Sequence, residues 1–174
     1  MKKILIPFII FLLFFSGTSV YEVEGFKPVY VPKEEAKVIK TLPPQDIKTQ
    51  GKIYVKDQYI FIGDVNLGIH VVDNTDPRNP IKIAFIQIYG NHDIAIKDEI
   101  LYADNMEDLV ALNINSILNP TLVKRLEGVY ELPNQHYPEN LPYHSYFECA
   151  DPSKGYIVGW IPDIIEKPEC YTSY

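Results

Sequence analysis

Two histidines, His136 and His144, stand eight residues apart in a segment that also carries Tyr130, Tyr137, Tyr143 and Tyr146. Trp160, the single tryptophan, follows. Imidazoles at close spacing can hold a transition metal or rim a polar ligand. The spacing here is neither HxxxH nor HxH, so solvated loop histidines are expected rather than a metal pair. The aromatic rings have two uses. On a polar, proline-held loop they suit a contact surface for protein or glycan; turned inward they roof a small core. Tyr130, His136, Tyr137, Tyr143, His144, Tyr146 and Trp160 together form the candidate interaction surface.

His92 beside Asp93 offers a base next to a carboxylate that could orient it. Neighbours in a strand point to opposite faces, however, so these two are not expected to meet. His70 alternates with Ile69 and Val71 and is placed on a sheet face. Asp64, Asp73, Asp76 and Asp104 could offer oxygen ligands to Ca²⁺, but the DxDxDG spacing is absent and turn or cap duty is expected. Cys149 and Cys170 lack the CxxC spacing and have no histidine between them, which argues against a metal. There is no GxSxG, no P-loop and no GxGxxG leading into a helix. Paired carboxylates for glycoside hydrolysis need not be close in sequence, and nothing singles a pair out. No catalytic residue, metal or cofactor is therefore assigned, and the expectation is a protein that is not an enzyme.

The elements that must carry these residues are strands. Thirteen tyrosines and many β-branched residues favour half-buried sheets, and 14 prolines with nine glycines punctuate short elements with turns. A net charge of −7 repels phosphate backbones and anionic headgroups, so nucleic acid is not an expected partner. Lys2 and Lys3, twelve apolar residues at 4–15 and small residues at 16–19 read as a signal peptide over 1–19. Twelve residues are too few to cross a hydrocarbon core of about 30 Å, so contact with the membrane is expected only through this leader, cleaved or kept as an anchor. In an oxidising compartment two cysteines read as one disulfide, Cys149 with Cys170, the alternative being two free thiols. Residues 20–50, with Pro28, Pro32, Pro43 and Pro44, read as an extended linker or arm, in which 34–42 forms a short helix or stays extended.

A repeat then begins. KDQYIFIGD at 56–64 is matched by KDEILYAD at 97–104, one residue shorter, and GIHVVDNTDPRNP at 68–80 by DLVALNINSILNP at 108–120. From Asp64/Asp104 onward the offset is forty: Ile69/Leu109, Val72/Leu112, Asp73/Asn113, Pro80/Pro120 and Ile83/Val123. Each copy breaks into four short alternating stretches separated by Asp, Asn, Gly and Pro turn residues. A four-stranded meander of this period is one propeller blade.

The pattern GIHVVDNTDPRNP, a strand, and then GNHDIAIKDEILYAD resembles the LVIVD-repeat proteins, bacterial and mostly of the cell envelope. The resemblance spans about 51–128, and 146–160, YFECADPSKGYIVGW, is similar to the tail of short Bacteroidetes-type members. It implies propeller-forming repeats and an exported protein of the periplasm or cell surface, with no general activity. Many such members are lipoproteins; Thr18 stands where their lipobox has cysteine and cannot take a thioether lipid.

The expected architecture is all-β. Two tandem four-stranded antiparallel blades occupy 51–128, and 129–174 supplies a Tyr/Pro loop and a C-terminal hairpin of 143–150 with 156–162. Closed propellers need about four to eight blades, so this one is incomplete and presents open sheet edges. The expected function is an exported protein-interaction or scaffold module. It would bind an envelope protein or a second copy of itself through those edges or the Tyr/Pro loop. The alternative is a small carbohydrate-binding module or enzyme with a site near Tyr137, His144 and Trp160.

Overall fold

The structure, a computed structural model, describes residues 21–139 and 141–173; the leader expected at 1–19 lies outside them. In chain order the elements are β1 (Glu22–Val31), a one-turn helix α1 (Lys33–Ala36), β2 (Lys40–Leu42), β3 (Gln50–Lys56), β4 (Tyr59–Asp64), β5 (Gly68–Asp73) and β6 (Ile81–Gln87). They continue with β7 (Ile94–Lys97), β8 (Ile100–Asn105), β9 (Asp108–Asn113), β10 (Thr121–Leu126), β11 (Tyr146–Phe147), β12 (Tyr156–Glu166) and β13 (Cys170–Tyr171). The fold is all-β, and none of its sheets closes on itself.

Blade one has the order β2-β6-β5-β4-β3 and blade two β10-β9-β8-β7, both antiparallel throughout. Each is the meander the repeat calls for. The first hairpin of each blade turns at an aspartate with positive φ, Asp57 and Asp98, a conformation Asp tolerates better than most residues. The missing residue falls elsewhere than the sequence match implies. Asp64 pairs with Gly68 across a three-residue turn, whereas Asn105 pairs with Asp108 across two. Asp64 therefore stands level with Asn105, and Asp104 with Gly63. At Gly68 φ is +146°, and a Cβ there would collide with the Ile86 carbonyl oxygen. That close approach of β5 to β6 explains the glycine.

The blades pack face to face. Phe61, Ile69, Val71 and Ile86 of blade one meet Ile94, Ile96, Leu101, Val110 and Leu112 of blade two, all in one buried cluster. Each such side chain contributes about 1.5–3 kcal/mol when fully buried. Tyr54 Oη donates to the Ile96 carbonyl at 2.6 Å, and Lys52 pairs with Asp93 across the inner strands.

Residues 21–50 of the segment expected as a linker or arm are built into the fold. β2 adds a fifth strand to blade one, with Leu42 opposite Phe85. β1 lies in the third sheet, order β12-β1-β11-β13, antiparallel to β12 over its whole length and parallel to β11. The C-terminal strands accordingly do not form a direct hairpin of 143–150 with 156–162, because β1 separates β11 from β12. A Cβ on Gly25 would lie 2.6 Å from the Tyr146 carbonyl oxygen, so a glycine lets β11 approach. Pro28 falls past the last pair with β11, where one side of β1 has no ladder partner to lose. Cys149 and Cys170 form a disulfide that ties the end of β11 to β13.

Candidate functional site

The third sheet packs on the turn end of the blades through Val31, Ala36, Met106, Tyr156 and Val158. Buried polar groups fix that junction. Asp108 accepts from Arg125 Nη1 at 2.7 Å and from the Gly128 amide at 3.1 Å, with Lys37 Nζ at 3.6 Å. Arg125 also donates to Asn105 Oδ1 and to the Lys37 carbonyl, and Asn105 Nδ2 donates to the Ala36 and Tyr89 carbonyls. Burial alone would raise the Asp108 carboxyl; Arg125, Gly128 and Lys37 outweigh it and hold it below the usual carboxylate range. Tyr156 Oη donates to Glu107 at 2.7 Å, and burial with this carboxylate pushes the phenol up to about 12. These groups are structural: they join α1, the β8–β9 turn and β12.

The Tyr/Pro segment is held in place on that platform. Gln135 behaves as a missing strand on the edge of β12, its Oε1 accepting from the Ile157 amide and its Nε2 donating to the Ile157 carbonyl. Asn134 accepts from the His136 amide and donates to the Tyr137 carbonyl, closing a local turn. Asn134 Nδ2 also reaches Glu139 at 3.4 Å.

The seven residues of the candidate surface are divided by this arrangement. Tyr143, His144, Tyr146 and Tyr171 make a row of ring contacts, with His144 edge-on to Tyr143 at 4.0 Å and stacked on Tyr171 at 5.5 Å. Trp160 packs edge-on against Phe147. His136 lies apart, in a cleft of about 190 Å³ with Tyr30, Lys33 and Tyr156. Tyr130 sits beside blade two, where it lines a shallow pocket with Tyr102 and Leu109. Tyr137 and Trp160 share a pocket of about 120 Å³, whose other polar members are Asn66, His92, Asn134 and Glu139.

Asp93, its neighbour in sequence, is not expected to face His92. The structure supplies a different carboxylate. Asp104, at the end of β8, accepts from the His92 and Asp93 amides at 2.9 Å, and its Oδ2 lies 3.6 Å from His92 Nδ1. Nδ1–H donates to the Gly90 carbonyl at 3.1 Å, and Nε2 has no hydrogen-bond partner among the described residues. Asp104 raises the His92 pKa above the usual imidazole value against the opposing effect of burial. Burial would raise Asp104; His92 and the two amides outweigh it and hold the carboxyl low. Blade one repeats the device: Asp64 accepts from the Lys48 and Thr49 amides and contacts His70 Nε2 at 3.0 Å. The repeat was the signal that could have revealed it, since an aspartate near the end of each second strand gathers the chain entering the first.

Among the described residues no cluster of three or more His, Cys, Asp or Glu is placed to hold a metal ion. No family model, curated protein or solved structure matches the chain.

Proposed function

We propose that this chain is a non-enzymatic module of the cell envelope that works by association, with a second copy of itself as the partner. One observation carries the reading. The face of blade two turned away from blade one presents Ala95, Tyr102, Leu109 and Ala111 at the ladder positions where blade one presents Tyr54, Phe61, Ile69 and Val71 to its neighbour. The same sheet face is covered by a neighbouring blade in the first copy and only in part, beside Tyr130, in the second. Leu126 extends the uncovered face, and Leu122 and Val123 are exposed on the adjoining edge strand β10.

The charges on that face favour a two-fold pairing. Lys97 lies at one end and Lys124 on the outer strand, while the acids at the other end are engaged within the chain, Asp93 with Lys52 and Asp104 with His92 and two amides, so antiparallel stacking of two copies sets the lysines of one against the more acidic end of the other. Four strands about 4.8 Å apart, one of four residues and three of six, make a patch of roughly 350 Å². That is small for a stable dimer, so the contact is weak unless β10 also adds to it. The lysine-flanked apolar leader and the Cys149–Cys170 bridge support the envelope setting.

Sedimentation across a wide concentration range tests the reading. Dimers that disappear in Tyr102→Glu are expected. A protein that stays monomeric up to NMR concentrations, or a dimer indifferent to that substitution, refutes it.

A further inference from the structure

The repeat that matches the open face of blade two to the inner face of blade one also defines the far face of blade one. There Ile53, Val55, Ile60 and Val72 occupy the ladder positions that Ile94, Ile96, Leu101 and Leu112 occupy in blade two. Those blade-two residues are the ones that dock on blade one, and all four are buried. The equivalent face of blade one meets no blade. Ile53 and Val55 are 53% and 61% exposed, against 6% and 7% for Ile94 and Ile96. The rest of this face is covered from within the chain. β2 and β3 are opposite edges of the sheet, so residues 43–49 pass from one to the other. Two pins place them on this face. Lys82 Nζ donates to the Gln45 carbonyl at 2.6 Å and pairs with Asp46, and Asp64, which also contacts His70, accepts from the Lys48 and Thr49 amides. On the strapped half His70, Val72 and Phe85 are buried.

We propose that residues 43–49 are a cap on a second docking face, and that the occupant they exclude is blade two of another copy. This rests on the proposed association of the chain with a second copy of itself. The repeat identifies the occupant. The capped face has the positions that fit against Tyr54, Phe61, Ile69 and Val71 within the chain, and the open face of blade two has Ala95, Tyr102, Leu109 and Ala111 at those same places. One copy's blade one can therefore stack on another's blade two as the two blades stack within one chain. Such a contact is heterologous: each copy uses a different face, and repetition gives a ring or an open filament. Packed sheets lie about 10 Å apart, and strap backbone bonded to Asp64 stands inside that gap. No blade enters until the strap moves. With the cap in place association uses blade two alone and stops at a two-fold pair. Polar capping of a terminal repeat is the general way in which stacked repeats stay soluble. The strap has that character: residues 43–49 are all exposed, and Ile47 is their one large aliphatic side chain.

Sedimentation of the full chain with 43–49 replaced by a Gly/Ser segment twice as long tests the cap. Such a segment still joins β2 to β3, lacks the Asp46 pair and Ile47, and is free to swing clear of the sheet. Species larger than a dimer, growing with concentration, are expected. Val55→Lys, at an exposed site on the capped face, should return this variant to the mass of the unaltered chain. The same substitution in the unaltered chain should change nothing. Circular dichroism checks each fold. If the replaced strap prevents folding, Lys82→Ala decides by the same readout. It removes one pin, keeps the loop sequence and should give a smaller fraction of the same large species. A folded strap variant no heavier than the unaltered chain overturns the proposal, as do large species indifferent to Val55→Lys. Where only Lys82→Ala folds, an unchanged mass overturns it too. The two proposals fail separately: a monomeric unaltered chain refutes the two-fold pair, yet head-to-tail growth on releasing the strap still establishes the cap.

Discussion

Each blade uses one aspartate to gather the amides of the chain entering it, Asp64 for Lys48 and Thr49 and Asp104 for His92 and Asp93. A third carboxylate, Asp108, anchors Arg125 beneath α1. All three have carboxyl groups held below their ordinary value despite burial. A depressed carboxyl pKa in the folded state gives stability that is present above the unfolded value and lost as pH falls through the folded one. His92 has the opposite sign: its raised pKa adds stability below the ordinary imidazole value, which is lost as pH climbs through the raised one. Urea midpoints should therefore peak in mildly acidic solution and drop steeply below about pH 4. Replacing Asp64, Asp104 and Asp108 with Asn should flatten the acid limb, and an unchanged limb would remove these residues as its cause. Arg125 is the other costly residue at this scale. Taking away one member of a buried ion pair leaves the remaining charge uncompensated, at about 3–5 kcal/mol.

Among the elements, β1 is the one whose place depends most on distant partners. Its sequence, EVEGFKPVYV, carries a proline and a glycine and precedes a charged turn, which is the composition of a linker. It becomes a strand because β12 offers a partner along its full length and β11 a second one near Gly25. A chain starting at Gly51 should therefore lose more than a tether. β12 would lose its ladder, blade one its fifth strand, and Asp64 the amides of Lys48 and Thr49. Circular dichroism and thermal melting should show reduced strand content and a lower Tm for that truncation. A truncated chain as stable as the full one would return residues 20–50 to the status of a linker.

At the scale of the whole molecule there are two stability regions. The blades share one core, whereas the third sheet is joined to them by a smaller cluster and the polar junction around Arg125. The disulfide belongs to the third sheet alone, closing a span of 21 residues, which on the loop-entropy argument is worth about 3 kcal/mol. Reduction should therefore speed hydrogen exchange in β11, β13 and the neighbouring part of β1, while the amides of β4, β5, β8 and β9 keep their protection. Uniform loss of protection across both blades would show instead that the molecule opens as one unit.

The chain by itself determined the local architecture. Alternation of apolar and polar residues, aspartate and proline turns and a forty-residue period are short-range signals, and they specified an all-β chain with two tandem meanders. The pairing of Cys149 with Cys170 was legible too, because the cysteine count left a single bridge. Only the tertiary structure decided what lies across long separations. It set β1 between β11 and β12, displaced the missing residue to the β8–β9 turn, gave His92 its carboxylate from Asp104, and joined Tyr137 and Trp160 while leaving His144 elsewhere. The physical reason is the same in each case. A strand carries no mark of which distant strand it will pair with; burial of its faces and satisfaction of its amides choose the partner, and those are properties of the folded whole.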